Sequence, residues 1–525
     1  MSLLRGFATV GGYTAASRVL GFLRDILIAG TLGTGPVADA FFVAFRFPNL
    51  FRRLFGEGAF NAAFVPLFAG RLEREGRAAA KAFAEEALAA MTVGLLLLTL
   101  LALAAMPWLM LVVAPGFADD PAQFDLAVRL TRIAFPYLLF MVLVALLGGV
   151  LNSLYRFAAA AAAPILLNLF FIASLLLVLP YWTGNAGELL AWTVAAAGLG
   201  QFLFMAWAAS AAGMALRFPR PRLTPAVRRL LKLMVPGLLS AGALQLNLLV
   251  GTMIATLQAG AVSWLYYADR LYQLPLGLIG IGIGVVLLPD LARKLRGGHD
   301  QAAMYALNRG LELGLFLTLP ATVALLVVPG PIVTVLFERG AFTAADSEAT
   351  ALALAAYAAG LPAFVLVKIL QPPFFAREDT VTPLRFALVS VAVNIVLALA
   401  LFYAMGFLGL AIAATVASWA NVLLLAWRLK ALGFLTLDAR SRKRLPRSLL
   451  VSLLMGLALW AAARALQDPL GGGELERIGA LALLVAGGLV VYFGLAFPLK
   501  AIDRSELAAA LRRKGRGDGS GAGPG

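Results

Sequence analysis

The sequence predicts an all-α membrane protein of about fourteen transmembrane helices. Three observations carry this reading. Of 525 residues, 62% are hydrophobic and 13% charged, where soluble domains are about 25% charged. About fourteen segments approach the roughly 20 apolar residues that span a bilayer. The basic residues concentrate in alternate connections between those segments. With a mean hydropathy of +0.90, no soluble fold of this size could bury the apolar surface. The composition thus excludes a soluble enzyme, a disordered chain and a nucleic-acid binder.

The expected spans run in order. The first two, 8–32 and 37–70, are the least apolar: Arg18, Arg24 and Asp25 interrupt one, and Asp39, Arg46, Arg52, Arg53 and Glu57 the other. Hydropathy alone would pass over both. Spans at 82–113, 126–151, 159–180 and 186–213 complete a first group of six, the N-lobe (1–218). The second group lies at 226–256, 262–291, 304–328, 347–371, 383–404 and 407–430, the C-lobe (219–434). Its second member carries Asp269 and Arg270. Two further spans, 445–466 and 477–499, fall in 435–505. The glycine-rich stretch 506–525 is expected to be a disordered cytoplasmic tail.

The net charge of +16 would suggest a polyanion partner on a soluble protein. Here its distribution reads as topology. Of the 43 basic residues, 31 lie at the N-terminus, in even-numbered connections or after the last span. Five lie in odd-numbered connections and the adjoining helix ends. The positive-inside rule therefore predicts an even number of spans with both termini cytoplasmic. The absence of cysteine excludes disulfides and thiolate chemistry, and the lone His299 lies in a polar loop, which makes a His-rich metal site implausible. The N-terminus has no apolar core followed by a cleavage site, so the first span is expected to be retained.

Residues 38–71 and 262–295 are similar at an offset of about 224 residues. Arg46 then meets Arg270, Pro66 falls beside Pro289, and each segment leads into a polar loop. The offset equals six spans, so the two lobes would be parallel repeats with a cavity between them, a common transporter plan.

Seven basic residues remain inside or at the edges of spans: Arg18, Arg24, Arg46, Arg52, Arg53, Arg270 and Lys368. Each central charge costs about 2.5–3.5 kcal/mol on insertion scales. They must therefore face water, pair with acids or sit near an interface. Helical spacing aligns Ser17, Gly21 and Arg24 on one face, with Arg18 and Asp25 on the next stripe. Asp39, Arg46 and Arg53, spaced by seven, form another stripe flanked by Asn49 and Arg52. Structural ion pairs and snorkelling are the plain alternative, especially for Arg52 and Arg53. A cationic cavity for an anion is the functional reading, because guanidinium suits bidentate contact with phosphate or carboxylate.

The runs SRVLGFLRD (17–25) and ADAFFVAFRFPNLFRRLFGEGAFNAAFVP (38–66) closely resemble the MurJ (MviN) family of bacterial lipid II flippases. This family belongs to the multidrug/oligosaccharidyl-lipid/polysaccharide exporter superfamily. Ala-Pro-Gly-Phe (114–117), Tyr-Ala-Asp-Arg-Leu-Tyr-Gln-Leu-Pro (267–275) and Phe-Glu-Arg-Gly-Ala-Phe (337–342) extend the resemblance. It covers about residues 1–430. It implies a V of two six-helix lobes, with the last two helices forming a groove for a lipid tail. The implied substrate is lipid II, an undecaprenyl-diphosphate carrying a disaccharide-pentapeptide, moved by alternating access from the cytoplasmic to the periplasmic leaflet of the bacterial inner membrane. Membrane lipids and cell-wall synthesis proteins are the other implied partners, and nucleic acid is not one. By motif, Arg24, Arg52 and Arg270 would contact the diphosphate and nearby sugar. Arg18 and Asp39 fall at further positions important for activity, and Ser17, Asp25, Asn49, Arg53, Ser263 and Asp269 are supporting cavity candidates. No cofactor is implied. Coupling to membrane potential or to sodium is open, with Asp379 a weak sodium candidate. An exporter of another polyprenyl-linked oligosaccharide, or a drug antiporter of the superfamily, is the alternative. A cation antiporter would favour a cavity acid over arginines. A membrane enzyme would need acid/base or metal-ligand groupings that the sequence does not offer. A non-transporting scaffold would need no buried cationic stripe.

Overall fold

The computed structural model describes residues 3–54 and 60–502, and every regular element among them is helical. In chain order the α-helices are α1 (Leu3–Leu32), α2 (Pro36–Arg52), α3 (Asn61–Arg74), α4 (Gly76–Ala104), α5 (Met106–Val113), α6 (Pro121–Ala134), α7 (Tyr137–Ser153), α8 (Phe157–Ala173), α9 (Ala186–Ala211) and α10 (Pro225–Ala255). They continue with α11 (Ala261–Arg296), α12 (Asp300–Val327), α13 (Pro329–Phe337), α14 (Ala344–Ala358), α15 (Leu361–Leu370), α16 (Pro372–Phe375), α17 (Val381–Met405), α18 (Phe407–Ala431), α19 (Ala439–Ala465), α20 (Gln467–Gly471) and α21 (Glu474–Ala496).

Each expected span coincides with one or two of these helices. Among the described residues, ten helical stretches are long and apolar enough to cross a membrane. They do not include α1, α2, α10 or α11, the helices of the first, second, seventh and eighth expected spans; within α10 a shorter apolar stretch, Gln245–Ala255, stands out. Glu57 and the tail from 506 lie outside the described residues.

Several spans read as continuous are divided. The segment 82–113 is α4 and α5, 126–151 is α6 and α7, and 347–371 is α14 and α15. Pro107, Pro136 and Pro362 sit at the three breaks. Pro107 and Pro362 are second residues of α5 and α15, and Pro136 immediately precedes α7. Proline, which has no N–H to bond a preceding turn, is tolerated at a helix start and not in its interior. Within 37–70 the described residues form α2, ending at Arg52, and α3, starting at Asn61, with π-helical residues at 53–54 and 60.

The chain forms two compact units, one of Met1–Tyr267 with Phe337–Asp346, the other of Ala268–Leu336 with Ser347–Gly525. This division by compactness falls at a different place from the lobe boundary at 218/219 expected from the repeat. Helix α10 joins the first unit through the turn Pro115–Asp119. The Gly116 N–H donates to Thr256 Oγ1 at 3.2 Å, and a Cβ on Gly116 would lie 2.2 Å from the Thr256 carbonyl oxygen. The motif glycine at 116 is therefore required by close backbone approach. The stretch 337–342 joins the same unit. The Ala341 N–H donates to the Gly30 carbonyl at 2.8 Å, and Gly340 turns at φ +57° with no room for a side chain.

In the first unit an aromatic core fixes α2. Phe41, Phe42, Phe45 and Phe171 pack together, and Phe42 stacks on Tyr266 with ring centroids 3.9 Å apart. In the second unit, one cluster joins α12, α15 and α18 through Leu307, Ile369 and Leu425. Another seats α19 and α21 on α12 through Phe316, Met455 and Leu484, where the Tyr492 hydroxyl donates to the Phe316 carbonyl at 2.5 Å. Large apolar side chains on the outer faces, such as Leu203, Val396 and Val490, are exposed. Such surface is stable only against lipid.

Candidate functional site

Three residues spaced to share a face of α1 meet one partner on α8. The Asn168 amide nitrogen donates to the Ser17 carbonyl at 2.9 Å and to its hydroxyl at 3.4 Å. A Cβ on Gly21 would lie 3.5 Å from the same amide. Arg24 Nη1 donates to Asn168 Oδ1 at 3.0 Å. Its Nε and Nη2 donate to Asp25 Oδ1 at 3.0 and 2.7 Å, and the guanidinium carbon lies 5.4 Å from the Phe171 ring centroid. The Tyr266 hydroxyl donates to the same carboxylate oxygen at 3.3 Å. Arg24 and Asp25 are both buried. Consecutive helical residues do not face each other, yet the long arginine reaches back across the stripe boundary to its neighbour. The buried charge is thus compensated on its own helix, and a neutral amide fixes its direction.

Arg18 lies on the exposed side of α1. On α2, Asn49 Nδ2 donates to the Phe45 carbonyl at 2.9 Å, and Asn49 Oδ1 accepts from Arg52 Nε at 3.0 Å. Arg52 is half-buried and Arg53 exposed. Arg46 Nη1 reaches Thr252 Oγ1 at 3.4 Å, with its guanidinium 5.7 Å from the Tyr266 ring centroid. The stripe on α2 thus meets the end of α10 and the start of α11.

Asp39, fully buried, is committed to backbone. Its carboxylate accepts from the Gly260 N–H at 2.7 Å, the Ser263 N–H at 2.9 Å and the Ser263 hydroxyl at 2.5 Å. It therefore caps the N-terminus of α11 from another helix, satisfying donors that the first helical turn leaves open and meeting the positive end of the helix dipole. Ser263 lies 224 residues from Asp39, the offset of the similar segments, so the starts of α2 and α11 hold each other. Asp269, which accepts from Gln273 Nε2, and Arg270 are half-buried and belong to the second unit.

Two polar positions escaped the sequence reading. Asn168 is the one polar side chain of α8, and a lone amide in an apolar span is itself the signal for a buried hydrogen-bond partner. Glu312, in the second unit, accepts from Arg309 Nη1 at 2.5 Å and Ser441 Oγ at 2.7 Å, with Arg440 Nε and Arg444 Nη1 at 3.4 and 3.5 Å. Arg309 also pairs with Asp438, which caps α19 at the Ser441 N–H. Asp438's carboxyl is held below the usual range: burial raises it, and the bonds from Ser441 and Arg309 outweigh that.

The sodium candidate Asp379 accepts from the Thr382 N–H at 2.9 Å at the start of α17, which holds its carboxyl low. No cluster of three or more acidic, histidine or cysteine residues suited to a metal ion occurs among the described residues.

The family model described as lipid II flippase MurJ matches residues 28–479. A probable lipid II flippase MurJ of Rhizobium meliloti (strain 1021) is 48% identical over 520 residues, 98% of this chain and 97% of that protein. Among solved structures, a lipid II flippase MurJ in an inward closed conformation is similar with a TM-score of 0.76 and 25% identity, over 96% of this chain and 99% of that one. An inward-facing multidrug resistance MATE family transporter of the MOP superfamily shares the fold, with a TM-score of 0.68 at 15% identity over 80% of this chain and 95% of that one.

Proposed function

The chain belongs to the MurJ family of lipid II flippases, and on that premise we propose that it carries undecaprenyl-diphosphate-linked peptidoglycan precursor across the bacterial inner membrane, with both termini cytoplasmic. It is a transporter, and the step makes and breaks no covalent bond. The observation that carries this reading beyond kinship is the buried Arg24, placed mid-span and aimed by Asn168. A guanidinium held by one carboxylate and one amide can exchange the amide for a phosphoryl oxygen without stranding a second charge.

Arg24, Arg52 and Arg270 are the proposed contacts for the diphosphate, and the headgroup moves by alternating access. Asp39 contributes by holding the α11 start rather than by touching the ligand. The polyprenyl tail stays in lipid along α19 and α21, whose outer faces expose Leu453, Leu457, Val485 and Leu489. An emptied cationic site would be drawn back toward a negative interior by about 2.3 kcal/mol per charge per 100 mV, so membrane potential is the proposed source of resetting.

The test follows the sidedness of the substrate. In cells depleted of this protein and lacking a second flippase, lipid-linked precursor should accumulate in the cytoplasmic leaflet and resist an externally added modifying enzyme. Undiminished externalisation after depletion would refute the proposal.

A further inference from the structure

The first unit contains a recess of about 560 Å³ apart from the residues just described, between α3, α4 and the start of α10. Its lining is graded. Arg71 and Arg74 lie at the C-terminal end of α3 and Arg229 near the N-terminal end of α10, while Pro66 and Ala62 on α3 and Gly237 on α10 line the remainder. Both basic ends adjoin even-numbered connections, so they share one membrane face. From Arg74 back to Ala62 the wall runs about 18 Å along α3, at 1.5 Å per residue. Phe83 forms a side, and the Arg71 guanidinium lies 4.6 Å from its ring centroid, pinned at the wall. None of the three arginines has an ion-pair partner among the described residues, and Glu75 is the single acid in the lining.

Three guanidiniums at one end of an apolar slot match the polarity of a phospholipid: an anionic phosphate at the membrane surface and methylenes running inward. The volume falls within the range of small-ligand sites and is too small for a disaccharide-pentapeptide. We propose that this recess binds an anionic glycerophospholipid, its phosphate on Arg71, Arg74 and Arg229 and the start of an acyl chain against Pro66 and Ala62. The proposal needs these arginines at a membrane interface and does not depend on which leaflet that is, or on the transported substrate.

Gly70 makes the test specific. It lines the recess, and a Cβ there would meet nothing within 4 Å, so Gly70→Leu fills the slot without altering charge. The full chain in nanodiscs of phosphatidylcholine doped with brominated phosphatidylglycerol is titrated, reading quenching of a tryptophan introduced at Leu67 in a Trp-free background. Quenching should saturate at low phosphatidylglycerol fraction, with the midpoint moved at least fivefold by Gly70→Leu and by Arg74→Gln/Arg229→Gln, and partly by Gly70→Ala. Inorganic phosphate and glycerol phosphate at millimolar concentration should not compete. Equal quenching by brominated phosphatidylcholine, an unmoved midpoint in the arginine variant, or stronger competition by undecaprenyl phosphate than by phosphatidylglycerol would overturn the proposal. So would displacement by free phosphate. Should Gly70→Leu not fold, the arginine variant and Gly70→Ala decide it.

Discussion

Arg24 in the first unit and Arg309 in the second both lie on helices with apolar faces, and both bond a carboxylate. What completes each is different. Arg24 has an acid from the next residue on its own helix and a neutral amide from α8. Arg309 bonds Glu312 one turn along its own helix α12, but it also pairs with Asp438 at the start of α19, and Arg440 and Arg444 reach Glu312 from α19, so charge joins the two helices from both sides. The first arrangement leaves the inter-helix contact weak and exchangeable. The second fastens two helices with charge on both sides. If Arg24 holds the substrate as proposed, the comparison teaches that an arginine in a span is told apart as a ligand contact by the kind of partner across the helix interface, and not by burial.

Four variants would break or sharpen that contrast. Glu312→Leu should be the most damaging to stability, about 3–5 kcal/mol, because it strands the buried Arg444 and removes the carboxylate shared by the half-buried Arg309 and Arg440. A large fall in thermal midpoint and membrane abundance checks it. Neutralising the other cluster as a pair, Arg24→Met with Asp25→Leu, should cost less than breaking one partner, since replacing a buried pair by apolar groups is often neutral, with about 1–3 kcal/mol from the bonds lost at Asn168 and Tyr266, leaving the protein in the membrane. Complementation of a flippase-depleted strain should nevertheless fail. Growth at wild-type rate would show that Arg24 is structural, like Arg309. Asn168→Leu should leave Arg24 charged but unaimed and orphan a buried donor, an effect of about 1–3 kcal/mol. Substrate affinity should drop roughly tenfold or more at preserved expression, with Asn168→Gln restoring part of it. Thr252→Val, which removes one long bond to Arg46, should have the smallest effect, about 0.5–1.5 kcal/mol, visible as a modest shift in thermal midpoint.

The spans were legible because apolarity and basic alternation are properties of short windows. The breaks within them were legible in principle from Pro107, Pro136 and Pro362 and were passed over, because hydropathy is blind to a missing N–H. The α1 face was legible too: Ser17, Gly21 and Arg24 do meet one partner. That partner was not, because Asn168 is 144 residues from Arg24 and spacing says nothing about which helix comes alongside. Asp39 was read as a charge in a cavity stripe and caps α11 instead. Helix N-termini carry no formal charge, so a tally of acids against arginines omits them. Glu312 went unread for the opposite reason: its arginines had already been assigned to a cytoplasmic surface.

The single amide of α8 also bears on how the molecule is assembled. A helix leaving the translocon must partition into lipid on its own account, and an aspartate at position 168 would add about 2.5–3.5 kcal/mol to that step. With Asn168 as its one polar side chain, α8 can settle in the bilayer unaided. Helix α1, made first and burdened with Arg18, Arg24 and Asp25, cannot do so as easily. The later helix therefore supplies the earlier one with its missing partner, and the orienting bond to Arg24 forms only when both are in place. Under the proposed role of Arg24, biogenesis and substrate recognition would impose the same choice at position 168: a side chain polar enough to aim a cation and neutral enough to enter the membrane by itself.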